Sequence, residues 1–170
     1  FAYQWFDIKP DVMALAKGLG GGFPIGACLM RDDIAEALIP GTHGSTFGGN
    51  PLAMAVGNCV MDIVNKVDFL SNVEKNGLFF KNQLNKLCEK YPNVIAEIRG
   101  LGLMIGIKCS VANNLLANKL YENGILTVNA ADNVIRILPP LNITMSEIKK
   151  VMSLFEKSIK EILSVSYTHL

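Results

Sequence analysis

The chain has 170 residues, half of them apolar and 18% charged, enough for one core or for part of a domain followed by a small second one. Its formal net charge of +1 gives no electrostatic reason to expect nucleic acid or a membrane surface, and no apolar run reaches the length of a membrane span. Four widely separated cysteines, Cys28, Cys59, Cys88 and Cys109, form no Cys-x-x-Cys pair and suit reduced thiols in a cytosol-like compartment better than disulfides or zinc.

The first residues, Phe1 to Asp7, are rich in aromatics and lead through Ile8-Lys9-Pro10-Asp11, a turn, into Val12-Met13-Ala14-Leu15-Ala16. That apolar run has strand length and predicts a buried strand of a mixed α/β sheet. Lys17 follows at its end, at the mouth of the turn Gly18-Leu19-Gly20-Gly21-Gly22. The glycines permit positive φ and close approach of the backbone to a ligand. A lysine leaving an apolar layer at such a turn suits Schiff-base chemistry if it is desolvated. The plainer reading is a surface lysine capping a strand. Two other readings of the glycines fail. A dinucleotide fingerprint needs a small sixth residue where Phe23 stands, and no Gly-Lys-Ser/Thr of a P-loop occurs.

A second strand is expected over 25–30, then a short helix opened by Asp32 and Asp33 and ended by Pro40-Gly41. The loop Gly41-Thr42-His43-Gly44-Ser45-Thr46-Phe47-Gly48-Gly49-Asn50 holds four glycines and three hydroxyls. Its backbone N–H groups and hydroxyls are suited to surround an anion, or it is a bare surface loop. His43 reads as a loop or packing histidine. Asn50-Pro51 is an N-cap followed by a first-turn proline, and the apolar run from Met54 to Val64 predicts a well-buried helix.

Helical spacing of Val73, Gly77, Phe80, Leu84, Leu87 and Cys88 predicts a long amphipathic helix over 71–91, with a domain boundary near it. Beyond it the pattern reads β-α-β-β-α: strands at 103–107, 125–128 and 134–138, a helix at 113–123, and a last helix opened by the capping box Thr144-Met145-Ser146-Glu147. Residues 164–170 break the helical pattern and read as an unstructured or non-native tail. Arg136 lies inside an apolar strand, where it needs a carboxylate partner or a face turned to water. Arg99, beside two glycines, raises the same alternatives and reads rather as structural.

Three ordered stretches together resemble the class III pyridoxal-phosphate aminotransferases, and within them the acetylornithine branch. They are Leu15-Ala-Lys-Gly-Leu-Gly-Gly-Gly-Phe-Pro-Ile-Gly26, Pro40-Gly-Thr-His-Gly-Ser-Thr-Phe-Gly-Gly-Asn-Pro-Leu-Ala53 and Val134-Ile-Arg-Ile-Leu-Pro-Pro-Leu141. The resemblance implies an α/β fold of the fold-type-I transferases. Residues 1–70 would be the C-terminal portion of the large cofactor-binding domain, 71–92 a connecting helix and 93–163 a small α+β domain. Lys17 would be the catalytic lysine joined to pyridoxal 5'-phosphate. Thr46 would bind the cofactor phosphate of the neighbouring subunit in a homodimer, Ser45 would touch substrate, and Arg136 would hold the substrate's α-carboxylate.

The implied reaction is transfer of the terminal amine of N-acetylornithine to 2-oxoglutarate in a cytoplasmic enzyme of arginine biosynthesis. Alternatives are another ω-aminotransferase or an inactive remnant kept as an interaction module. The family's acidic partner for the ring nitrogen lies upstream of its lysine. Asp7 and Asp11, the nearest upstream acids here, sit in no such motif. With only about two strands of the large sheet, the chain alone is expected to leave apolar surface uncovered and to be neither stable nor active.

Overall fold

The computed structural model describes residues 1–167, the side chains of 165–167 excepted. It divides into two compact units, Phe1–Lys66 and the chain from Val67 onward.

The first unit begins with a short helix, α1 (Ala2–Trp5), where the sequence predicts only a lead-in. Strand β1 (Val12–Leu15) pairs antiparallel with β2 (Ala27–Met30), and helices α2 (Asp32–Ala35) and α3 (Pro51–Val64) follow. Asn50 caps α3 as expected, its side chain accepting from the Ala53 N–H at 2.9 Å. The expected burial is not found. Among the described residues of this unit only Gly20, Ala53 and Gly57 are buried. β1 has one neighbour, so its apolar side chains lack a covering layer, and α3 is apolar apart from the narrow stripe of Asn58 and Asp62 yet mostly exposed. A helix with so broad an apolar surface belongs in an interior. The residues here provide too little surface to make one.

The second unit has its own core. Helix α4 (Val67–Lys90) is followed by the hairpin of β3 (Ile95–Leu101) and β4 (Met104–Cys109), then α5 (Asn113–Glu122), the hairpin of β5 (Val128–Ala130) and β6 (Val134–Ile137), and α6 (Met145–Tyr167). The order is therefore β-β-α-β-β-α, with β3 an extra strand. The sequence reading did not predict it, because Arg99-Gly100 interrupts the alternation of its side chains. The boundary between units precedes α4, and the helix read as a connector puts Phe80, Leu84 and Leu87 into this core.

The four strands lie in the order β3-β4-β6-β5, all antiparallel. Alternation along each strand gives two faces. Ile105, Ile107, Ile135 and Ile137 meet Leu84, Leu116, Ile148, Phe155 and Ile159 from the three helices on one face. The other face carries Arg99, Leu101, Met104, Arg136 and Val128, all exposed, and Val134, which is buried.

Local chemistry sets the joints. Thr144 and Glu147 form the predicted capping box: Glu147 accepts from the Thr144 N–H at 2.8 Å, and the Glu147 N–H donates to Thr144 Oγ1 at 3.2 Å. No break occurs at Ser164, since α6 runs to Tyr167; the last three residues of the expected tail lie outside the described residues. Asn133, at φ 53°, donates to the Cys109 and Val111 carbonyls and accepts from the Asn113 N–H, tying the β5–β6 turn to α5. Glu156 accepts from Lys90 at 2.7 Å and from Tyr91 at 2.8 Å, with Lys160 3.2 Å away. Those donors hold its carboxyl at about 2, below the ordinary 4.5. Cys28 and Cys59, in the first unit, are exposed. In the second unit Cys88 is half-buried and Cys109 buried, its thiol pushed up to about 11 by burial.

Candidate functional site

Lys17 starts a single 3₁₀ turn over Lys17–Gly20 directly after β1, with Leu19 N–H donating to the Ala16 carbonyl at 3.2 Å. Its own backbone is left-handed, at φ 54°. Such a conformation costs a long side chain on the order of 1 kcal/mol or more, and strain of this kind clusters at functional sites. The side chain is exposed at the edge of an open depression of about 450 Å³ shared with Gly21, Gly22, Phe23 and Pro24. Residues of this chain therefore do not supply the desolvation that Schiff-base chemistry needs.

The turn is seated on α3. A Cβ at Gly21 would come within 3.1 Å of Val60 Cγ2, and one at Gly57 within 3.2 Å of Ile25 Cδ1. Glycine on both sides lets turn and helix touch. The same helix is the anchor of the hydroxyl loop, which ends at its cap. In that loop Asn50 Nδ2 donates to the Phe47 carbonyl at 2.8 Å and Gly48 N–H to the Ser45 carbonyl at 3.2 Å. The Ser45 and Thr46 hydroxyls are exposed and have no hydrogen-bond partner among the described residues. Thr42 is spent differently, donating to the Ile39 carbonyl at 2.7 Å. His43 is exposed in the loop, and Phe47 beside Thr46 is 81% exposed.

These features fit pyridoxal phosphate. One exposed amine stands on a strained turn, and two neighbouring hydroxyls free to donate to phosphate lie in an open glycine loop on the same supporting helix. Of the nearest acids, Asp11 is paired with Arg31, so its carboxylate is engaged.

Arg136 is in the second unit. Its neighbours Ile135 and Ile137 enter the core, and it projects from the opposite, exposed face, without an ion-pair partner among the described residues. Of the two sequence readings, the alternating strand is the one observed, and the guanidinium is left available to a carboxylate. Across the sheet Arg136 pairs with Gly106, and Gly106 with Arg99. Arg99 contacts Asp132 at 3.3 Å, while Lys108 donates to both the Asp132 carboxylate and, at 2.5 Å, its carbonyl. The Lys108 ammonium holds the Asp132 carboxyl below its ordinary range. The sequence reading took Arg99 as structural because it stands beside two glycines. The β4 register is what puts it in line with Arg136.

Residues 1–159 match the family model described as aminotransferase class-III. Acetylornithine aminotransferase of Brucella melitensis is 48% identical over 162 residues, and that of Clostridium acetobutylicum 45% over 161. The chain spans only about 40% of the length of these relatives. Among solved structures, acetylornithine aminotransferase from Elizabethkingia anophelis superposes with a TM-score of 0.85 at 37% identity, covering 94% of this chain and 43% of that one. Ornithine aminotransferase from Toxoplasma gondii ME49 gives 0.88 at 35% identity, covering 96% and 40%.

Proposed function

Because this chain belongs to the class-III aminotransferases, which use pyridoxal phosphate, we propose that it is the lysine-bearing part of an enzyme transferring the terminal amine of N-acetylornithine to 2-oxoglutarate. The products are N-acetylglutamate semialdehyde and glutamate, and the process served is arginine biosynthesis in the cytoplasm. The observation that carries the reading is Lys17, an exposed amine on a left-handed backbone where the lysine motif of the sequence falls. The 48% identity to an acetylornithine aminotransferase supports the choice of amine.

When bound, the cofactor ring supplies the electron sink that makes the C–H bond of the amine-bearing carbon acidic. Lys17 Nζ would hold the cofactor covalently and, once the substrate amine has displaced it, would be the free amine that takes the proton from that carbon and later returns it. Thr46 Oγ1 and the loop N–H groups hold the phosphate, in a homodimer that of the neighbouring subunit. Ser45 touches substrate. Arg136 grips the α-carboxylate, where a planar guanidinium gives a paired, directional contact. In this reading the unit Phe1–Lys66 belongs to a large cofactor-binding domain, and α4 with the chain that follows it forms the small domain.

A second reading, ornithine as the amine donor, is favoured by the TM-score of 0.88 to an ornithine aminotransferase. A panel of ω-amines separates the two by kcat/KM. The cofactor assignment is tested on the complete gene product by incubation with pyridoxal phosphate, borohydride reduction and peptide mapping. Label on Lys17 is expected. Label elsewhere, or none, would remove the enzyme reading.

A further inference from the structure

The bare face of the second unit's sheet carries a cross-strand row, Arg99 on β3, Gly106 on β4, Arg136 on β6 and Val128 on β5. Directly opposed residues in antiparallel strands project to the same side. The two arginines are two strands apart, about 10 Å at Cα from ordinary strand spacing. Arg99 closes part of that gap. A Cβ on Gly106 would lie 3.3 Å from Val134 Cγ1, 3.4 Å from Arg99 Cγ and 3.7 Å from its Nε, so the Arg99 side chain runs over the glycine, its guanidinium 3.3 Å from Asp132 in the β5–β6 turn. Any larger residue at 106 would push it away.

Pairing with Asp132 does not account for this placement. That contact is a single one at 3.3 Å between groups 47% and 60% exposed, and Asp132 is already held by Lys108. Such an exposed pair contributes little. Arg99 therefore keeps most of its five N–H donors for something else. Arg136, next but one in the row, has no carboxylate among the described residues.

We propose that Arg99 is a second carboxylate-holding residue, reaching over Gly106 to share with Arg136 the carboxylate of an amino-acid substrate. This rests on the aminotransferase reading for the identity of the substrate, though not for the existence of the anion site. Its consequence is specificity. N-acetylornithine and N-acetylputrescine carry the same reacting amine and differ by the carboxylate.

The test uses the complete, cofactor-loaded gene product and its Arg99→Ala and Arg99→Lys variants. In Arg99→Ala the ratio of kcat/KM for N-acetylornithine over N-acetylputrescine is expected to fall about tenfold, as for loss of one charge-assisted hydrogen bond, with Arg99→Lys intermediate. An unchanged ratio overturns the proposal, whatever happens to total activity. Calorimetric binding of pentanoate against pentanamide is the second readout. Arg99→Ala is expected to weaken pentanoate about tenfold relative to the amide, and equal losses for both, or none, overturn the proposal. If the parent protein transaminates neither amine, the aminotransferase reading fails while the calorimetric comparison still decides the anion site.

Discussion

Lys17 and Thr46 show how much of a site one side chain can carry. The Thr46 hydroxyl has no partner among the described residues, so Thr46→Val removes the hydroxyl that the proposed function gives to the phosphate without breaking a hydrogen bond of the fold. In the complete protein this is expected to weaken cofactor binding about tenfold, with Thr46→Ser restoring it, as read by cofactor fluorescence titration. Equal affinity for Val and Ser variants would place the phosphate elsewhere. Glycine clusters and hydroxyls alone left a surface lysine and a bare loop as open as a ligand site, and it was the resemblance of whole motifs to the family that singled out Lys17 and Thr46. The left-handed backbone at Lys17 was not legible. Nothing in a lysine's own chemistry favours that conformation, and it is imposed by the seating of the glycine turn on α3. Arg136 was legible as an oddity, but only the register showed which way it faces.

At the scale of elements, joints made by local hydrogen bonds were easy to foresee and joints made by close backbone approach were not. The Thr144–Glu147 box and the Asn50 cap follow from spacing alone. The β3–β4 hairpin depends on Gly100, at φ 124°, where a Cβ would come within 2.1 Å of the Met104 carbonyl oxygen. Gly100→Ala is therefore expected to lower stability by about 3 kcal/mol, seen as a shifted urea midpoint of the second unit. A shift within experimental error would refute that account of the turn. Glu156 links the end of α4 to α6 through groups whose attraction requires its ionised form. Its folded carboxyl titrates at about 2, below the ordinary 4.5, so its contribution is present in full above the ordinary value and lost as pH falls from there toward 2. Glu156→Gln is expected to be less stable near pH 6 and to show a flatter loss of stability between pH 5 and 3. Parallel curves for the two proteins would sink that assignment.

For the molecule as a whole, the contrast between units dominates. One has a core of Phe80, Leu84, Leu116, Phe155 and Ile159, each fully buried; the other leaves Trp5, Phe6, Phe47 and Leu52 more than half exposed. Apolar area left in water contributes nothing to stability. In hydrogen exchange on the 170-residue chain, amides of β4, β6, α5 and α6 are expected to be protected, while those of β1, β2 and α3 exchange at rates close to unstructured peptide. Comparable protection in both units would contradict this. The expected shortfall of surface was legible from the presence of only about two strands of the first unit's sheet. The independence of the second unit was not, because the helix that fills its core read as a connector. The uneven burial of the four cysteines has a practical side. An alkylating reagent should modify Cys28 and Cys59 quickly and Cys109 hardly at all, since a buried thiol held near 11 offers neither access nor thiolate. The chain thus carries its own pair of footprinting probes and its own internal standard. Whatever covers the first unit in the assembled enzyme will announce itself as a slowing of two native labelling rates against a third that does not change.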